Sequence, residues 1–299
     1  MCSAGVLFFV IGLWAAKRGV SEERGVEKVL AVGNLCFALP LGVFGGLHLS
    51  AARGLMTMVP DFIPWHLFWA YFVGFALLAA SLSIATKNQV QWSGLLLGCM
   101  MFIFVATMDI PGAITEPRNR ISWVLLFREM SFGGGGWILA GEALSGSANH
   151  GKSKLITIGR IILGFTAIFY GVQHFLHPFN VPGVPLEKLM PAYFPARLIA
   201  YLTGAILLVA GVCILLAKKT RTAATYLGAW LLLLVIFVYG PILITSLLAP
   251  GTDIKVEGLN YFFDTLLFAG AVLALGHAAP RSDFSGAAQP YAQLQGSSS

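Results

Sequence analysis

Apolar stretches of helical length alternate with short polar breaks along almost the whole chain. The runs cover residues 2–16, 29–50, 62–85, 90–114 and 121–144, then, after a polar connector, 155–176, 196–217, 222–248 and 258–279. A helix needs about 20 mostly apolar residues to cross the hydrocarbon core. All but the first run meet that length, and the first is borderline. The pattern therefore predicts an all-α polytopic membrane protein with eight to nine transmembrane helices. They fall into two tandem four-helix units, 29–144 and 155–279, preceded by an uncleaved hydrophobic span and charged linker in 1–28. Residues 280–299, rich in Ser, Gly, Ala and Gln, have no apolar periodicity and are expected to be disordered.

The two sets of four runs match each other. MVPDFIPWHLFWAYFVGFALLAASLSIATK aligns with LMPAYFPARLIAYLTGAILLVAGVCILLAK, pairing Pro60 with Pro191, Pro64 with Pro195, Tyr71 with Tyr201, Gly74 with Gly204 and Lys87 with Lys218. Further along, Pro111 pairs with Pro241 and Gly141 with Gly276. Prolines, lysines and a histidine in the same order point to an internal duplication. With an even number of spans per copy, both copies share one orientation. Between the first and second run of each copy lie GGLHLSAARGLMTMVPDFIP and HFLHPFNVPGVPLEKLMPAYFP, which open on His48 and His174 and close on prolines. These segments are expected to form lids, built by the shared histidine and prolines.

Charge fixes orientation rather than partner. The chain has 19 Lys and Arg against 13 Asp and Glu, but no basic run interleaved with aromatics that would mark a nucleic-acid surface. Lys17, Arg18, Arg24, Lys28, Lys87, Lys152, Lys154, Lys218, Lys219, Arg221 and Arg281 fall on one side, against Arg53, Arg118, Arg120, Lys188, Arg197 and Lys255 on the other. The positive-inside rule makes the first set cytoplasmic, together with the C-terminus, and turns the lids outward. Only 11% of residues are charged and mean hydropathy is +0.80, which excludes an ordinary soluble domain. Cys2, Cys36, Cys99 and Cys213 lie inside apolar runs with no C-x-x-C, so they read as small hydrophobes.

Ionisable groups inside spans are costly and hence functional candidates, on the order of 2.5–3.5 kcal/mol each on insertion scales. Glu129 and Asp264 occupy equivalent places in the fourth helix of each unit, six to nine residues from its outer end. Asp109 lies two residues before Pro111, and Tyr239 two before Pro241. With His48 and His174 they make a candidate ligand-binding set of six, all in the outer half of the membrane; the alternative is that each acid fixes helix register. Arg128 does not share a helix face with Glu129, so it snorkels outward or meets a partner such as Asp109. His174 and His177, spaced three apart, would share a face with Glu187 nearby, but Pro178 ends that helix, and no metal site or catalytic residue is assigned. Gly133 to Gly136 lie within a membrane helix and read as a close-packing surface rather than a phosphate loop.

The Gly-x-x-His that ends the first helix, the lids with VPDFIP and VPGVPLEKLMPAYFP, and the second helices WAYFVGFALLAA and IAYLTGAILLVAG together resemble the DoxX-like family of bacterial membrane proteins, here as two tandem copies. The resemblance implies a four-helix membrane bundle in the bacterial inner membrane, linked in some members to quinone-dependent sulfur oxidation or oxidative-stress complexes. On that footing the expected role is a membrane subunit that carries no built-in cofactor. It would bind a quinone-like or lipid-like molecule, with a redox partner protein and a homo-oligomer as further expectations. A small-solute or proton-coupled transporter and a non-catalytic scaffold are the competing classes.

Overall fold

The computed structural model describes residues 26–145, 154–191 and 194–280. The expected span at 2–16 and the tail beyond Pro280 lie outside them. The described residues are helical with no strand. The principal helices are α1 (Gly33–Ser50, preceded by a turn of helix at Val26–Ala31), α2 (His66–Thr86), α3 (Val90–Phe104), α4 (Arg120–Ser145), α5 (Lys154–Leu176), α6 (Ala196–Leu215), α7 (Thr220–Leu234) and α8 (Thr252–Ala278). Seven spans are long and apolar enough to cross a membrane. The remaining long helix, α4, matches them in length, but Arg128, Glu129 and Glu142 lower its hydropathy. Large apolar side chains such as Phe75, Leu96, Ile114, Val209 and Phe237 stand exposed on the outside of the bundle, as a lipid-facing surface requires.

Helices α3 and α7 do not stop at their last α-helical residue. Each passes through one π-helical stretch, Val105–Asp109 or Val235–Tyr239, and resumes as Ile110–Thr115 or Gly240–Leu248. Pro111 and Pro241 explain the break: proline lacks the N–H that would bond four residues back, and its ring crowds that carbonyl, so the turn before it widens. Below these helices, the loops from α2 to α3 and from α6 to α7 are reversals of a few residues. Non-glycine residues take left-handed backbone there, Lys87 and Gln89 in one loop and Ala217 and Lys219 in the other.

Neighbour relations follow chain order around a closed ring, from α1 through α8 and back to α1, with a further contact across the middle between α4 and α8 and a smaller one between α5 and α8. The ring is thus pinched into two lobes. The first is enclosed by α1, α2 and α3, the second by α5, α6 and α7, and both share α4 and α8 as their common wall. Glycine makes the pinch. A Cβ on Gly136 would lie 2.8 Å from the Gly94 carbonyl of α3, one on Gly134 3.2 Å from Ile162 of α5, and one on Gly135 2.7 Å from Ala271 of α8. On α8, a Cβ on Gly270 would lie 2.4 Å from the backbone nitrogen of Phe37. The run Gly133 to Gly136 therefore packs, as its place in a membrane helix suggests, and it lets α4 meet neighbours on several faces at once.

The two lids differ. From Met56 to Trp65 the first one exposes Met58, Phe62 and Trp65. The second turns back on itself, with the Val181 N–H donating to the Val184 carbonyl and Gly183 at φ +105°, and it buries Val181, Val184 and Leu186. The Arg120 guanidinium holds this lid at α4 by donating to the Asn180 carbonyl at 2.7 Å.

Candidate ligand-binding site

A cavity of about 290 Å³ opens inside the second lobe. Its floor and walls come from Val124, Arg128 and Phe132 of α4, Tyr170 and His174 of α5, Thr203 of α6, Leu231 of α7, Tyr239 at the end of the π-helical stretch, and Tyr261, Asp264 and Phe268 of α8. Pro182, Gly183 and Val184 form its roof. These roof residues belong to the part of the second lid that has no counterpart in the first. The shared histidine and prolines therefore do not by themselves build a cover, which corrects the expectation from sequence.

Three of the six candidate residues, His174, Tyr239 and Asp264, meet at this cavity. Asp264 sits deeper than its sequence position suggested. Helix α8 begins at Thr252 rather than near 258, because Gly251 at φ +113° starts it and Asp253 in the first turn suits a helix N-terminus. Asp264 is thus twelve residues in, a descent of about 18 Å at 1.5 Å per residue.

Arg128 organises the charges. Its Nη1 donates to Oδ2 of Asp264 at 3.0 Å and its Nη2 to Oε1 of Glu129 at 2.9 Å. Arg128 therefore neither snorkels to the surface nor takes Asp109 as its bonded partner, and it does reach its own chain neighbour. Helix spacing separates the two Cβ atoms, but the long guanidinium arm folds back across the face between them. The pair to Asp264 ties α4 to α8 at the wall shared by the two lobes.

The other three candidates gather on the first-lobe side. Glu129 lies within electrostatic range of both His48 and Asp109, and Asp109 within range of Arg128. Oδ2 of Asp109 is buried with no hydrogen-bond partner among the described residues. One guanidinium thus serves three carboxylates, two of them directly. The two histidines are held alike: His48 Nδ1 donates to the Phe44 carbonyl at 2.9 Å, and His174 Nδ1 to the Tyr170 carbonyl at 2.7 Å. Each ring bonds the carbonyl one turn back along its own helix. His177 lies beyond the end of α5 and is exposed, whereas His174 is buried, so the two do not share a site. Among the described residues no group of three or more His, Cys, Asp or Glu is placed to hold a metal ion.

Sequence reasoning missed Tyr170, Thr203 and the bonded role of Arg128. The available signal was a lone arginine in one apolar span with a lone acid in another, since membrane charges tend to pair with one another. At the opposite end of the bundle, Glu142 of α4 pairs with His277 of α8. There Arg221 caps the end of α8 by donating to the carbonyls of Gly276, His277 and Ala279. The shared wall is therefore clamped near its middle and at one end.

Comparison of the chain with protein-family models, curated proteins and solved structures gives no match.

Proposed function

We propose that this is a DoxX-like membrane subunit, built as a tandem duplication, that binds the head group of a quinone-like or lipid-like molecule in the second-lobe cavity. The observation that carries the reading is the cavity itself. It is largely apolar and near the lower size of small-molecule sites, about 300 Å³, and it has a few convergent polar groups: His174, Tyr239 and the Arg128–Asp264 pair. An acid beside a hydroxyl or carbonyl can exchange protons with it, the step that quinone chemistry requires. In support of duplication, the π-helical stretches, the prolines that follow them and the histidine-to-carbonyl bonds recur in the same order in both halves. In this reading the protein resides in a bacterial inner membrane with lids outward and C-terminus inside. A partner protein supplies any redox cofactor, and self-association is a further expectation.

The test is purification in mild detergent followed by mass spectrometry of co-purifying small molecules. A quinone or lipid present at about one per chain, and lost on Asp264→Asn or on filling the cavity by Thr203→Phe, supports the reading. Empty protein, or a ligand that both variants retain, refutes it.

One observation favours a second reading, a proton-coupled transporter. Both α3 and α7 are interrupted beside a candidate residue, Asp109 or Tyr239, and interrupted helices mark substrate sites in transporters. Solute uptake into proteoliposomes that depends on an imposed pH gradient would favour it over the first.

A further inference from the structure

We infer, building on the proposed reading of the cavity, that its ligand is an amphipathic aromatic alcohol whose hydroxyl donates a hydrogen bond to Nε2 of His174. His174 is 4% exposed, and its ring lines the cavity. A backbone carbonyl only accepts, so the 2.7 Å contact from Nδ1 to the Tyr170 carbonyl places the ring proton on Nδ1. The neutral ring then presents a lone pair at Nε2, and no hydrogen bond reaches that atom among the described residues. An acceptor of an otherwise buried residue that opens onto the cavity calls for a donor from whatever occupies that space.

The charged groups of the cavity agree in sign. Asp264 accepts from Arg128 through Oδ2, with no bond to its other oxygen among the described residues. Arg128 directs Nη1 and Nη2 at carboxylates, and its Nε is sealed off. Asn260, Thr203 and Tyr239 also line the space and can donate as well as accept, so the demand for a donor rests on His174 Nε2 and the second oxygen of Asp264. Aromatic walls supply the rest of the selection. Phe132, Tyr170 and Phe268 line the space, with Tyr170 and Phe268 edge to face at 5.7 Å, a setting that favours a flat ring. At about 290 Å³ the cavity holds one substituted ring.

The experiment uses the full chain in lipid nanodiscs and two probes, para-octylphenol and its methyl ether, which differ in the hydroxyl proton and one methyl group. Binding is followed by calorimetry, and the ring nitrogens of His174 by nitrogen NMR. The phenol is expected to bind about tenfold more tightly, the ratio that one satisfied buried acceptor supplies. It is also expected to move the Nε2 resonance while the ether leaves it in place, and His174→Phe is expected to erase the preference. Equal affinities with an unmoved Nε2 resonance overturn the donor inference while leaving the cavity as a binding site. Binding of neither probe overturns the cavity reading as well.

Discussion

Removing the guanidinium at the shared wall tests the architecture and the site together. Arg128→Gln leaves Asp264 and Glu129, on the two sides of that wall, without their common cation. For a fully buried ion pair, loss of one partner costs roughly 3–5 kcal/mol. Here the side chains of Arg128, Glu129 and Asp264 keep 28%, 17% and 22% of their surface accessible. That partial hydration lowers the expected loss to roughly 2–3 kcal/mol. For a chain of this size, that corresponds to a drop of about 5–10 °C in the unfolding midpoint, measured on detergent-solubilised protein by tryptophan fluorescence. The double variant Arg128→Gln, Asp264→Asn removes one of the uncompensated charges and is expected to recover at least half of the loss. A double-mutant cycle then isolates the coupling. If Arg128→Gln unfolds within about 0.5 kcal/mol of the parent, the limit for an ordinary surface change, the bridge is not holding the wall. Strict additivity of the two substitutions would refute the reasoning in the same way.

Two further substitutions address packing and capping. Gly270→Ala puts a methyl against the Phe37 backbone nitrogen at 2.4 Å, where nothing can yield without moving α1, and is expected to cost about 1–3 kcal/mol. Gly112→Ala, whose new Cβ meets nothing within 4 Å, should be neutral or slightly stabilising in the same thermal assay. Arg221→Met removes the donor to three carbonyls at the end of α8 and should cost about 2 kcal/mol. Its signature is faster amide exchange confined to the last turns of α8, and unchanged exchange there would exclude the capping role.

Much of the scaffold is legible in the sequence because membrane helices announce themselves by length and apolar content. The prolines marking α3 and α7, and the glycine run of α4, are local signals whose consequences are local: a widened turn and a close approach. The site was legible only in part. His174, Tyr239 and Asp264 stood out as polar groups in apolar runs, and they do meet. Which groups bond to which was not legible, since Arg128 finds Asp264 through the contact of α4 with α8, a tertiary fact that no spacing within either helix encodes. The start of α8 was misjudged because TDIKVE looks like a loop when read for hydropathy alone. It is helical because a polar turn at a helix entrance needs no apolar face. The first lid resembles the second in its end residues, yet only the stretch from Val181 to Val184, which has no parallel in the first, turns inward.

The π-helical stretch of α7 makes the span tolerant of a change in chain length at one place. A π-turn accommodates one surplus residue, so deleting a single residue between 235 and 239 would let it close to ordinary pitch while the segments on either side keep the faces they present. The same deletion in the regular part of the helix would rotate one side of the span by about 100° relative to the other. Tyr239 in α7 and Asp109 in α3 thus each stand at the point where the span can lose a residue without re-aiming the rest of its length.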